Sequence, residues 1–567
     1  MTTPTEAQRG AIESDHSRIL AVAGAGSGKT WTMIHRLRRL LDGGCSPRDI
    51  AVVTYTNAAA RVIEDRLRGR HVWGDHYFRD GSLDEVWTCD KCGLNSSTAV
   101  DEPCPKNIVA LGHLGTLHSF CVRHLDTHGE WPTGVRVMDE DESRAEIVGT
   151  AKRIALKPTD PITERTYRRD CYAHGVFDYD LLLEAALNLL IDKNMPRRSW
   201  RHLFVDEYQD AAEIDATIYQ SMSVANRYFT GDPMQAIFGF RGGDVRQIEK
   251  LVASPDWEKH ELTVNFRSGR QICEAATRLA SKSASEGVRK PLSSFLDNES
   301  TVGSRSYPAG VSEAVGIAEA LQAHIAAGGN PADFAVLTRT NWIAHTIAEV
   351  VAANGVPVKT RNFASLPRDW RLARAALEVV ARPKSPDSAR RYAEVKDPAW
   401  AAAMQREAER EQRPFNLGDE PTGDADKMDY ELKLLDVSDE SRSLIQKRFL
   451  ELPTTASLVD LAVSLAVEPP TQDEGEGVFV GTIHAAKGNE WHTVVLAGFE
   501  DEVIPGRRKK IDIEEERRLA YVGLTRSKVD CRITWAKWRA VQWPTTDVDR
   551  TPSRFIEEML EPVEPSR

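Results

Sequence analysis

The sequence predicts an α/β protein in two halves, each a parallel sheet flanked by helices and each with a mainly helical insertion. Three observations predict it. First, an apolar strand at 18–22 runs into a glycine-rich turn and then a helix at 30–41, with Met33, Ile34, Leu37, Leu40 and Leu41 at helical spacing. Strand, glycine turn and helix form the opening unit of an α/β domain. Second, apolar strands at 51–54, 203–205 and 227–230 are followed by polar residues, the last two by Asp206-Glu207 and Gly231-Asp232. Open parallel sheets collect functional groups at strand ends. Third, the second half repeats the style at 334–337 and 493–496. Between those strands lies a long insertion, 366–476, helical in pattern at 404–413 and loop-like at 418–429. No short-period repeat stands out.

The chain has 567 residues, enough at roughly 150 residues per domain for about three to four structural units. Hydrophobic residues at 41% and charged residues at 28% fit a globular protein. The net charge is −12, which argues against nucleic-acid binding through a global basic field. Any such contact must be a local groove. The N-terminus has no charged-then-apolar leader, and no apolar run is long enough to span a bilayer, so a cytoplasmic location is expected.

Ala23-Gly24-Ala25-Gly26-Ser27-Gly28-Lys29-Thr30 reads as a phosphate-binding loop of Walker A type. Its glycines let backbone N–H groups converge on phosphate oxygens, and the following helix N-terminus adds partial positive charge. Lys29 is expected at the β/γ-phosphates of ATP and the Thr30 hydroxyl on Mg²⁺. The first position is Ala23 where the pattern usually has glycine. Asp206 suits Mg²⁺, directly or through water, and Glu207 suits orienting and deprotonating an attacking water. Gln235 is a candidate γ-phosphate sensor.

With these motifs in place, the chain resembles the UvrD/Rep/PcrA group of superfamily 1A DNA helicases, through an ordered set of motifs covering most of its length. Gln8 resembles the adenine-reading glutamine, and Val205 to Asp210 the family's Walker B, preceded by a helix like that at 177–182. Thr54-Tyr55-Thr56-Asn57-Ala58 is similar to a motif touching single-stranded DNA, with Ala58 in place of its usual lysine. Gly115 to Phe120 resembles the next DNA-contacting motif. The resemblance thereby implies DNA contacts at Thr54, Tyr55, Asn57, Thr116 and His118. Gly231 to Gly243 resembles the motif coupling ATP to DNA, which places Gln235 and Arg241 near phosphates or strand and Phe240 on a base, although a core aromatic is the alternative. Asn265-Phe266-Arg267-Ser268 implies that Phe266 stacks on adenine and Arg267 is an arginine finger. The motif from Thr482 to Trp491 places Glu490 near the ribose and His484 near DNA, and the motif from Glu514 to Arg526 makes Arg526 a second arginine at the γ-phosphate.

The implied fold is two RecA-like P-loop NTPase domains. The first domain takes 1–124, with a cysteine-rich insertion at about 69–112, and 177–260, interrupted by a short helical insertion at 125–176. The second takes 261–365 and 477–567, interrupted by a reduced helical insertion at 366–476. The implied activity is ATP hydrolysis coupled to 3′-to-5′ movement on single-stranded DNA, with duplex unwinding. The alternative is a DNA-stimulated ATPase acting as a switch or motor subunit beside a nuclease, repair or defence partner. The chain ends soon after Arg526, so a helicase–nuclease fusion is not expected.

Cys89, Cys92 and Cys104 have the spacing of a zinc knuckle, with His71, His76 or His113 open as a fourth ligand. The alternative is free thiols on a loop.

Overall fold

The computed structural model describes residues 3–67, 111–131, 134–192, 199–284, 291–296, 298–362, 370–381, 428, 432, 437–452, 461–462, 464–465, 472–474, 477–506, 512–539 and 549–560. Strands of the first half are β1 (Arg18–Ala23), β2 (Ile50–Thr54), β3 (His113–Thr116), β4 (Arg136–Val137), β5 (Val176–Phe177), β6 (Trp200–Val205), β7 (Val224–Gly231) and β8 (Glu258–Leu262). All but β4 and β5, which pair with each other, form one parallel sheet in the order β3-β2-β6-β7-β1-β8. Parallel strands buried on both faces need continuous apolar runs. Here Leu20, Val22, Val53, Leu203 and Val205 enter one core, and Ile19, Ala21, Val52 and Phe204 enter the other.

The second half contains β9 (Val264–Asn265), β10 (Ser293–Ser294), β11 (Thr301–Ala309), β12 (Phe334–Thr338), β13 (Val358–Asn362), β14 (Gln472–Glu474), β15 (Val478–Thr482), β16 (Trp491–Leu496) and β17 (Ser527–Trp538). Its main sheet runs β11-β17-β16-β12-β15-β13-β14. Only the edge strand β14 is antiparallel to its neighbour among the described residues. β14 falls inside the segment expected to be insertion, yet it belongs to the sheet. Ala335, Leu337, Val494 and Leu496 face one core; Phe334, Val336, Val495 and Val480 face the other.

The segment expected as the first insertion contains helices Glu140–Arg153 and Pro161–His174, and its expected start at 125 falls within helix Leu117–His128. In the second insertion, helices Trp370–Ala381 and Asp439–Glu451 contribute to a separate apolar core with Ala376, Leu377 and Ile445. This module leans on the first half. Arg374 pairs with Asp139, Asn57 Nδ2 donates to Ser464 Oγ at 3.0 Å, and Arg61 Nη1 donates to the Leu452 carbonyl at 3.3 Å. No helix among the described residues is long and apolar enough to cross a membrane. The expected helix at 404–413 and the Cys89, Cys92, Cys104, His71 and His76 cluster lie outside the described residues, as does the loop expected at 418–429 apart from Met428, which is helical and buried in the core of the insertion. His113 is described: it is buried at the start of β3, edge-on to Phe120.

Candidate nucleotide and nucleic-acid site

β1 ends at Ala23, and helix Lys29–Asp42 begins six residues later with Gly28 as its N-cap. The loop between them turns tightly. Gly26 and Gly28 have φ of 66° and 79°, a region that side chains with a Cβ rarely adopt. A Cβ on Gly26 would lie 2.8 Å from both Arg267 Cβ and Asn265 Nδ2, so the second half also demands glycine there. Asn265 Nδ2 donates to the Ala25 carbonyl at 2.7 Å, and Phe266 N–H donates to the Gly26 carbonyl at 2.9 Å. Gln8 Nε2 donates to the next carbonyl, Ser27 O, at 3.0 Å. Gln8 and Phe266 therefore hold consecutive carbonyls of one loop. Gln8 Oε1 also accepts from Thr5 N–H, completing the cap of helix Glu6–Glu13. The Phe266 ring lies 4.9 Å from that of Phe295.

The ends of β6 and β7 bring acids to this loop. Lys29 Nζ is 3.3 Å from Glu207 Oε2. Burial works to lower the Lys29 pKa, but Glu207, Asp232 and Asp206 together outweigh it and raise the value. Glu207 sits in left-handed backbone (φ 53°), a strained state for a side chain of its size. Burial works to raise its carboxyl, yet Lys29 and then Lys487 hold it down to about 2. Asp206 goes the other way: burial and Glu207 push it up to about 7 against the pull of Lys29. Thr30 Oγ1 donates to Asp206 Oδ2 at 3.3 Å. Two adjacent oxygens on an octahedral Mg²⁺, each about 2.1 Å from the ion, lie roughly 3.0 Å apart. This hard-oxygen pair therefore fits such an ion with little adjustment. Among the described residues, no cluster of three or more His, Cys, Asp or Glu side chains is placed to hold a metal. Gln235 is buried, and its Nε2 donates to Asp232 Oδ2 at 2.6 Å.

The arginines come from the second half. Arg267 Nε donates to Glu490 Oε2 at 2.5 Å, and Glu490 also meets Lys528 at 2.9 Å. Arg526 is only 2% exposed. Its hydrogen bonds go to neutral oxygens: the Val522 and Asn489 carbonyls and the Thr525 hydroxyl. Burial, then Arg267, lowers its guanidinium to about 9. A buried cation without a bonded carboxylate is a costly arrangement that an anionic ligand relieves.

A line of aromatic rings leads away from the acids. Tyr55 stacks on Phe238 at 5.3 Å, Phe238 meets Phe240 at 6.1 Å, and Phe240 meets His484 edge-on at 5.4 Å. Phe240 is 66% exposed, so it is not a core aromatic. The other residues expected near DNA are engaged within the protein. Thr54 Oγ1 donates to the Thr56 carbonyl, and Thr116 caps helix Leu117–His128. His118 packs edge-on against Tyr179, with burial holding its imidazole down to about 4. Asn57 is taken up by Ser464. The Arg241 side chain lies outside the described residues.

Two residues stand out that the motifs did not single out. Lys487 crosses from the second half to Asp210 Oδ2 at 2.5 Å and the Gln235 carbonyl at 2.9 Å, and lies 4.7 Å from the Phe238 ring centre. Phe238 joins Tyr55 to Phe240. The available signal was their position: a lysine three residues after His484 and an aromatic two residues before Phe240.

Two family models between them match most of the chain. The family described as UvrD/REP helicase N-terminal domain matches residues 4–164 and 162–255, and the UvrD-like helicase C-terminal domain matches 260–419 and 425–538. The chain is 25% identical over 609 residues to the ATP-dependent DNA helicase UvrD2 of Mycobacterium tuberculosis H37Rv, covering 97% of this chain and 80% of that protein. It is 24% identical over 653 residues to the ATP-dependent DNA helicase PcrA of Bacillus subtilis 168, covering 97% and 85%. With both family domains matched across most of its length, the chain belongs to the UvrD/REP helicase family of superfamily 1A.

Proposed function

We propose that this chain is an ATP-dependent DNA helicase that couples ATP hydrolysis to 3′-to-5′ movement along single-stranded DNA and opens duplex at junctions. The observation that carries the reading is the split of one charge constellation over two halves. Lys29, Thr30, Asp206 and Glu207 come from the first; Arg526, buried and with no carboxylate bonded to it among the described residues, comes from the second. Direction of movement rests on the family likeness.

In this reading the loop from Ala23 to Thr30 cradles the phosphates, with Lys29 on the transferred group. Thr30 and Asp206 hold Mg²⁺, which neutralises phosphate charge when bound. Glu207, kept ionised by Lys29 and Lys487, takes the proton of the attacking water. Arg267 and Arg526 stabilise the charge that develops during transfer, so hydrolysis requires the halves to be together. Gln8 and Phe266 bracket the base, and Glu490 lies near the ribose. Phe240 and Tyr55 grip bases by stacking, which is indifferent to sequence. Repeated closing and opening, with alternating grip on the strand, is translocation.

The test is ATP turnover with and without oligo-dT, and strand displacement on duplexes with 3′ or 5′ tails. Lys29→Ala and Glu207→Gln are expected to abolish turnover, and only the 3′-tailed duplex should open. Unchanged turnover in both variants would refute the enzyme reading; opening of the 5′-tailed duplex alone would refute the direction. The zinc reading rests on cysteine spacing alone. Metal analysis of the purified chain tests it, and zinc well below one equivalent sinks it.

A further inference from the structure

Helix Ile513–Leu524 carries Glu515, Arg518 and Tyr521 at intervals of three residues, which sets them on one side of the helix. All three reach across the cleft. Glu515 Oε1 accepts from Gly239 N–H at 3.1 Å, and Arg518 Nε donates to the Ala236 carbonyl at 2.7 Å. The Tyr521 hydroxyl accepts from Ala25 N–H, in the phosphate loop, at 3.4 Å. One rigid element therefore touches the nucleotide loop at one end and the segment leading to Phe240 at the other. Arg526 lies just beyond its C-terminus.

The contact at Gly239 is close. A Cβ there would lie 2.7 Å from Glu515 Oε1 and 3.0 Å from Oε2, so the carboxylate occupies the space a side chain would need. Gly239, Phe240 and Arg241 form a single tight turn, closed by Gly242 N–H on the Gly239 carbonyl at 3.0 Å. Displacing Gly239 displaces Phe240 with it.

We propose that Glu515 and Arg518 are positioning residues that transmit closure of the nucleotide cleft to the aromatic DNA platform, holding the 236–239 segment so that Phe240 takes its working position when the halves meet. The proposal rests on the reading of this chain as a DNA-stimulated ATPase. It assigns Glu515 and Arg518 no contact with nucleotide or strand. Their loss should therefore disturb the response to DNA more than hydrolysis itself.

The experiment measures ATP turnover of the full chain with and without oligo-dT. Glu515→Ala is expected to lose about tenfold of the DNA stimulation, equivalent to about 1.4 kcal/mol, the scale of one hydrogen bond to a charged group. Turnover without DNA should stay within about twofold of wild type. Glu515→Gln keeps an acceptor oxygen and should restore most of the stimulation. Gly239→Ala should reproduce the loss from the other side of the contact. The double variant Glu515→Ala with Gly239→Ala should be no worse than Glu515→Ala, because the group that clashes has gone. Wild-type stimulation in Glu515→Ala overturns the proposal, as do additive losses in the double variant or equal losses with and without DNA. A wild-type chain that hydrolyses ATP but ignores DNA would sink the underlying reading, and the coupling with it.

Discussion

Lys487→Met removes a cation that crosses the cleft to a buried carboxylate, and its cost depends on the carboxylate left behind. Lys487 Nζ lies 2.5 Å from Asp210 Oδ2. Burial raises the Asp210 carboxyl to about 6 even with Lys487 beside it. Without Lys487 the ionised form is left buried and unpaired, which by itself would cost about 3–5 kcal/mol. Protonation is the cheaper escape. At pH 8, neutralising a carboxyl held at about 6 with Lys487 in place costs on the order of 3 kcal/mol. The same step costs on the order of 1 kcal/mol at pH 7 and close to nothing at pH 6. The folded variant then holds one proton more than the unfolded chain, so its stability falls as pH rises. Urea denaturation of the full chain, followed by tryptophan fluorescence at pH 6, 7 and 8, should show the gap to wild type widening by roughly 1.4 kcal/mol per pH unit. Adding Asp210→Asn to the variant should flatten that dependence. A gap that is constant, or that narrows as pH rises, would rule out this linkage.

Arg526→Met should leave unfolding stability unchanged or raise it, because a buried guanidinium with neutral partners is replaced by an apolar side chain of similar length. ATP turnover in the same variant should fall by about 10³-fold or more. A loss of stability without loss of turnover would contradict both arguments. Arg539→Met should destabilise the second half by about 3–5 kcal/mol, because Arg539 is bonded to two fully buried carboxylates, Glu313 and Glu500. Thermal unfolding measures this, and a shift in Tm of less than about a degree would count against it. Phe240→Ala should weaken oligo-dT binding by about 1–3 kcal/mol, read by fluorescence anisotropy, with the salt dependence unchanged because no phosphate contact is lost. An unaltered affinity would remove Phe240 from the platform.

Much of this protein is legible in its sequence because the relevant signals are local. A strand, the glycine turn from Gly24 to Gly28 and a helix form a unit whose chemistry needs no distant partner. Apolar runs such as 50–54 and 334–338 declare strands buried on both faces, and Asp206-Glu207 at a strand end declares the acids. These signals establish the fold class, the expected nucleotide chemistry and the family. Contacts that cross between distant segments are not legible in this way. The pairings of Asn57 with Ser464, Lys487 with Asp210, and Glu515 with Gly239 join residues 407, 277 and 276 positions apart. The opposed shifts of Asp206 and Glu207 likewise depend on burial and on where Lys29 and Lys487 end up. Neighbours along the chain set backbone preference and periodicity, whereas charge pairing and desolvation depend on distances that exist only after the sheets have packed. The order of residues along the chain is therefore enough to point to a hydrolysis site split over two halves, while the side chains that span the split are chosen by the packing of one half against the other.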